Sequence, residues 1–270
     1  MYKEYFEGYY FKHFKDGKTI AFIPVKSVSG SFIQVITDEK TYNFNVPAAK
    51  MGKTIVMGDC VFTANGIEIQ LPNIKGKIAY KNLTPIKYDI MGPFKFFPME
   101  CTHGVVSMGH NLCGGLTIDG IYYDFTDGIG YIEKDSGCSF PEKYLWLQAN
   151  NFDNLNIMLS IAKIPFYGLN FDGCICDVIF KGKEYRLATY LGCKACIKDN
   201  RVIIKQGVLI LVVDILSKGM EKPLASPICG QMSGIIHETN NAKMRFRLYK
   251  SKQIIFDKKS RFVSFERHLF

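Results

Sequence analysis

The amino-acid sequence predicts an all-β fold of antiparallel strands, and three observations carry that expectation. Aromatic and β-branched residues recur in runs of five to eight, separated by Gly, Asn, Asp and Pro, along nearly the whole chain. No window of eleven or more residues repeats its apolar positions at the 3.6-residue spacing of a helix. Asp16-Gly17, Asn65-Gly66 and Asp119-Gly120 each stand between two such runs. These dipeptides accept the positive φ that a two-residue hairpin turn demands. Many strands at regular spacing leave sandwich and barrel as the architectures, and a barrel has no open edge to protect.

Taken in order, residues 9–14, 19–25 and 31–36 read as the first three strands, with Asp16-Gly17 turning the first pair. Residues 60–63 and 67–71 flank Asn65-Gly66, and the second run alternates cleanly as Ile67, Glu68, Ile69, Gln70, Leu71. Residues 85–98 hold three of the ten prolines and break the strand rhythm, so this stretch crosses over rather than pairs. Extended pattern resumes over 100–110. The sequence therefore predicts two β domains of unequal size, 1–109 and 110–270. In the second, residues 116–118 and 121–125 close on Asp119-Gly120. Residues 129–135 set Ile129, Tyr131, Glu133 and Asp135 on one face, with Ile132 and Lys134 on the other. Residues 144–150 likewise set Tyr144, Trp146, Gln148 and Asn150 against Leu145, Leu147 and Ala149. Further strands are expected over 160–164, 173–180, 185–189, 201–205, 208–215 and after 228. A purely solvated face favours Lys, Glu and Thr over Trp and Tyr, so the faces bearing Tyr131 and Trp146 read as the lining of a pocket.

Composition narrows the function classes. With 270 residues and 47% hydrophobic content, the chain can bury substantial cores. Its longest apolar run, 208–213, is far short of the ~20 residues a membrane-spanning helix needs. The opening MYKEYFEGYY has no basic-then-apolar leader, and nine scattered cysteines fit reduced thiols, so a cytoplasmic location is expected. The pairs Cys174-x-Cys176 and Cys193-x-x-Cys196 fall in strand-like runs rather than knuckle turns, and no metal is expected. His103 and His110, seven apart on one strand-like run, point to opposite faces and make poor joint ligands. The formal charge of +9 is uneven: residues 1–180 carry a net −2 and residues 181–270 a net +11. The basic last third suggests peripheral contact with anionic lipid, while a nucleic-acid partner is not expected.

No phosphate-loop, serine-elbow or HExxH signature is complete. An ordered set of short motifs does carry a likeness: YFEGYYFKH at 5–13, IPV and SFIQVI within 23–36, MGPFKFFPMECTHGVVSM at 91–108, and YDFTDGIGYIEKDSGCSFPEKYLWLQANNF at 123–152. In these motifs and their order the chain resembles the tocopherol cyclase-like proteins. The resemblance implies two lipocalin-like barrel or sandwich domains side by side, no cofactor, and an apolar prenyl or terpenoid ligand. Plant members of that family close the chromanol ring of a prenylated hydroquinone, and more distant relatives hydrate or cyclise other polyene and polyketide substrates. The chain departs from the family at Tyr9 and Ser136, where members usually hold Trp. With that aromatic surface lost, a non-catalytic carrier of a hydrophobic small molecule is the alternative.

Such a cyclisation begins by protonating an alkene, a very weak base, and ends with attack of the phenol oxygen on a tertiary cation. It needs an acid still protonated near neutral pH, which a carboxyl buried among aromatic rings supplies. Glu133, beside Tyr131 on one strand face, is the first candidate, followed by Asp135 and Asp124. Trp146, Tyr9 and Tyr144 offer π faces to a developing cation. Gln148 and Asn150 suit a quinol hydroxyl, and His103 or His110 suits its general base.

Overall fold

The computed structural model describes residues 5–47, 49–166 and 169–269. Residues 1–4, part of the opening read above as leaderless, lie outside the described residues. The described residues contain no α-helix, and no helix among them is long and apolar enough to cross a membrane. The chain divides into two compact units: residues 1–89, 100–140 and 224–235 in one, residues 90–99, 141–223 and 236–270 in the other.

The first unit is built on β1 (Phe6–Lys15), β2 (Lys18–Ser27), β3 (Gly30–Thr37), β4 (Thr41–Val46), β5 (Ala49–Lys50), β6 (Thr54–Met57), β7 (Cys60–Thr63), β8 (Gly66–Gln70), β9 (Ile74–Lys81), β10 (Cys101–Ile118), β11 (Ile121–Asp124) and β12 (Ile129–Gly137). They form one antiparallel sheet in the order β4-β3-β2-β1-β12-β10-β9-β8-β7-β6-β5, with β11 paired to β10. Phe11, Phe22, Ile33, Phe62, Ile78 and Ile132, drawn from six of these strands, meet in a single apolar cluster. Only a strongly curled, barrel-like sheet brings such distant strands onto one core. Burying each of the larger side chains contributes about 1.5–3 kcal/mol.

The second unit uses β13 (Tyr144–Phe152), β14 (Leu155–Phe166), β15 (Leu169–Phe180), β16 (Lys183–Ala188), β17 (Lys194–Lys198), β18 (Arg201–Gln206), β19 (Leu209–Ser217), β20 (Lys222–Ile228), β21 (Gln231–Lys250) and β22 (Gln253–His268). Their sheet runs β16-β15-β14-β13-β22-β21-β19-β18-β17, with β20 paired to β21. Leu147, Leu159, Cys176, Val213, Phe246 and Phe265 mark its core.

Local chemistry explains most strand ends. Asp16 and Asp119 take φ of 48° and 50°, and the glycines after them 80° and 84°, the paired left-handed conformation that closes a right-twisted hairpin. Asn65-Gly66 works differently. Thr63 pairs with Gly66, so Ala64 and Asn65 form the turn and Gly66 opens β8. A Cβ on Gly66 would lie 2.5 Å from the Ile78 carbonyl oxygen, so close approach of β9 is what requires glycine there. The proline-rich stretch 85–98 forms no strand and holds one short 3-10 helix, Gly92–Phe96. The domain boundary expected near residue 109 instead falls inside β10, which runs unbroken to Ile118 because its far half pairs with β9.

Candidate active site

Strand β12 delivers the central residues. Its alternation sends Ile132 into the apolar cluster of the first unit and turns Tyr131, Glu133 and Asp135 to the opposite face. That face is nonetheless closed: Tyr131 is 0% exposed and Glu133 4%. β10 places His103 directly across from Asp135. His103 Nδ1 lies 2.8 Å from Asp135 Oδ1, and Nε2 lies 3.3 Å from Glu133 Oε2. The Tyr131 hydroxyl donates to Glu133 Oε2 at 2.5 Å. The structure thus brings together His103, Glu133, Asp135 and Tyr131 of the expected residues.

Burial disfavours a charged His103 ring, but the negative charges of Asp135 and Glu133 and their hydrogen bonds outweigh it and raise its pKa well above the ordinary value. Burial first, then the Glu133 charge, pushes the Tyr131 hydroxyl well above its ordinary range, so it stays a donor. Cys101 is similarly held as a thiol by burial and by Asp135, whose Oδ1 lies 3.8 Å from its sulfur. The cluster therefore carries its proton on His103, while Glu133 accepts from Tyr131. The donor atoms of His103, Glu133 and Asp135 lie within 4.8 Å of one another, a spacing that can ring a divalent ion. Any ion would first have to displace the proton that this pocket binds firmly.

Two residues of this face went unread in the sequence. Tyr10 lies across β1 from Glu133, and Lys12 across from Tyr131. Both are buried, Lys12 with only 1% exposure. The signal was the alternation of β1 itself, in which Tyr10 and Lys12 share one face while Phe11 joins the core. Tyr9 consequently points the other way from Glu133. It stacks on Phe11 at 6.0 Å between ring centroids and lies under the Lys134 ammonium.

Other expected residues sit elsewhere. Asp124 ends β11 on the surface, where the Lys15 ammonium at 2.6 Å and the Thr126 amide lower its pKa to about 2. His110 is buried on the core side of β10, its Nδ1 3.1 Å from Ser107 Oγ and its ring 4.3 Å from Tyr80. Two β-bulges lie between His103 and His110, and their one-residue slips add to two, an even shift that keeps the alternation, so the two rings do point to opposite faces. A cavity of about 110 Å³ in the first unit is lined by Thr19, Lys40, Tyr42, Asp119, Tyr123 and neighbours, none of them an expected site residue.

Tyr144, Trp146, Gln148 and Asn150 all belong to the second unit. They share one face of β13, away from Leu145, Leu147 and Ala149, and every one is buried. Register adds Glu266 across from Trp146 and Ser264 across from Gln148, with Ser264 Oγ donating to Asn240 at 2.7 Å. These partners lie roughly ninety or more residues downstream on β21 and β22. No periodicity within 144–150 could have named them.

The model of the tocopherol cyclase-like family matches residues 66–163, a span that includes His103, Tyr131, Glu133 and Asp135. Over that span the chain is similar to the tocopherol cyclase-like family. Solved structures share the fold at very low sequence identity. CghA in complex with Sch210972 is 11% identical, covers 98% of this chain and 89% of its own, and superposes with a TM-score of 0.66. Kievitone hydratase from Nectria haematococca is 9% identical, covers 98% and 88%, and gives 0.55. At such identities the likeness establishes shared two-domain, lipocalin-like architecture. No curated protein sequence matches the chain.

Proposed function

We propose that this protein catalyses a cofactor-independent, proton-initiated cyclisation or hydration of a prenylated hydroquinone or other polyene substrate, with His103 as the proton carrier. The observation behind this reading is a buried imidazole gripped by two carboxylates, 2.8 Å from Asp135 and 3.3 Å from Glu133. Asp135 on Nδ1 orients the ring and stabilises its charged form. Nε2 is then the edge through which a proton passes to substrate, and Glu133, steadied by the Tyr131 hydroxyl, takes a proton back as the ring closes or water adds. His103 and Glu133 side chains are 11% and 5% exposed, which limits capture of the cation by bulk water. Tyr10 and Tyr131 supply π faces for positive charge developing on carbon.

The strength of the grip sets the substrate. An imidazolium stabilised by two carboxylates is a weak acid and transfers poorly to an isolated alkene. An alkene conjugated to an electron-donating oxygen, such as an enol or dienol, is a better acceptor at carbon, and a prenyl alkene accepts the proton only if the phenol oxygen attacks in the same step. A panel of prenyl hydroquinones and polyenones turned over in D₂O tests this: the product should gain one solvent deuterium at carbon. His103→Gln should lower kcat/KM by about 10²–10⁴. Wild-type activity should fall on the alkaline side as His103 loses its proton, and Asp135→Asn should move that limb to lower pH. Undiminished turnover by His103→Gln would remove the proposal.

The second reading, a lipocalin-like carrier of a hydrophobic small molecule, draws on Tyr9 and Ser136, positions where the resembling family carries Trp. Native mass spectrometry that finds a bound apolar compound unchanged after long incubation would favour it. The arginines of residues 181–270 are in large part committed to ion pairs rather than free to meet lipid. Arg186, Arg201, Arg245 and Arg247 are already paired with Asp177, Asp214 and Asp257.

A further inference from the structure

The two cysteine motifs do not act as motifs in the folded chain. Cys174 and Cys176 both face the core of the second unit from β15, whereas Cys193 and Cys196 part company: Cys193 turns into that core and Cys196 is exposed on β17. The neighbour that Cys193 meets is Cys174. The short 3-10 turn Thr189–Leu191 brings this about, and Gly192 ends it in the left-handed conformation at φ 80°. Thr189 Oγ1 accepts the Cys174 amide at 2.8 Å, and the Cys193 amide donates to the Ala188 carbonyl at 3.0 Å. These two bonds fix the segment after β16 against β15. The Cys174 and Cys193 side chains thus meet in this core, with the Thr189 side chain beside them.

We propose that Cys174 and Cys193 form a peroxide-sensitive thiol pair that closes reversibly as a disulfide. Cys193 is the attacking sulfur. The neighbouring Cys174 thiol, and then the Thr189 hydroxyl, favour the thiolate and lower its pKa, while Cys193 raises that of Cys174. It is also the more accessible of the two, 7% exposed against 1%. The thiolate attacks one oxygen of hydrogen peroxide, the O–O bond breaks, and hydroxide leaves to be protonated to water. Cys193 is thereby oxidised to a sulfenic acid. The Cys174 sulfur then attacks it; the S–S bond forms, the S–O bond breaks, and the hydroxyl departs as water with the Cys174 proton. Two electrons have passed from the thiols to the peroxide. A dithiol reductant reverses the closure by exchange.

The test uses the full chain, treated with graded hydrogen peroxide, quenched by alkylation under denaturing conditions, and mapped without reduction. The expected product is about 2 Da lighter and contains a peptide linking Cys174 to Cys193, which dithiothreitol abolishes. Buried Cys60 should remain alkylatable throughout. Cys174→Ser should leave Cys193 as a sulfenic acid trapped by dimedone, and Cys193→Ser should show neither product. A link from Cys193 to Cys176, or oxidation of exposed Cys113, Cys196 and Cys229 while Cys174 and Cys193 stay thiols, would overturn the proposal. The wild-type map decides alone if a variant fails to fold.

Discussion

Acidification should open the first unit through two histidines that were not built to be charged. His13 and His110 face its core, His13 Nε2 lies 2.6 Å from the Tyr80 hydroxyl, and both rings pack on Tyr80. Burial lowers each pKa from 6.5 to about 3, helped for His13 by the nearby His110. In the unfolded chain each ring titrates normally, so between pH 6.5 and 3 the unfolded state binds more protons. Stability is therefore full above pH 6.5 and is lost as pH falls through that window. Moving to pH 4.5 crosses two units, or about 3 kcal/mol per ring and about 5 kcal/mol for both. That is comparable to the whole stability of many domains. The assay is hydrogen exchange of β1 and β10 amides, where the two histidines sit. Protection, corrected for intrinsic exchange, should fall by about 10⁴ between pH 7 and 4.5. The double variant His13→Gln/His110→Gln should lose most of this dependence. Flat protection in the wild type, or an equal loss in the double variant, would refute the reasoning.

Three further outcomes are expected. Asp177 in the second unit is fully buried and, chiefly through that burial and the Glu184 charge, has its pKa raised to about 7. Its sign is opposite: the folded state binds the extra proton, so unfolding followed by Trp146 fluorescence should be harder at pH 5.5 than at pH 7 by about 2 kcal/mol. Asp177→Asn should abolish that gain. Gly130→Ala would put a Cβ 2.1 Å from Nε2 of the buried His110 ring. Urea denaturation should show a loss of about 1–3 kcal/mol from overpacking. Asp124→Ala removes an exposed ion pair to Lys15 and the acceptor of the Thr126 amide, so melting temperature should drop only slightly and turnover should be unchanged.

Much of the site was legible because strand geometry is local. Two-residue alternation is enough to say that Tyr131, Glu133 and Asp135 share a face, and that Trp146 shares one with Gln148 and Asn150. What that alternation meets is not local. His103 read as a general base from its residue type, yet the structure makes it the holder of the proton, because β10 pairs with β12 in a register that sets it between two carboxylates. Asp124 looked equivalent to Asp135 by type and proximity, but it caps a short surface strand that pairs only with β10. Tyr9 and Tyr10 are separable by parity, and the alternation of β1 puts Tyr10, not Tyr9, on the Glu133 face. The boundary near residue 109 failed for a related reason: prolines mark where pairing stops, but β10 starts after them and belongs with β9 and β12.

By itself the sequence determined the strands, their turns and the faces of each strand, since these depend on side-chain period and on which residues tolerate positive φ. Only the tertiary structure decided which faces meet. Antiparallel register is fixed by contacts tens to hundreds of residues apart, so the partners of Glu133, of Trp146 and of Cys193 each lay on strands that no neighbouring stretch of sequence could name. Charge followed from that meeting too. Burial and nearby carboxylates are properties of the assembled pocket, and they leave one histidine holding its proton and two others without one.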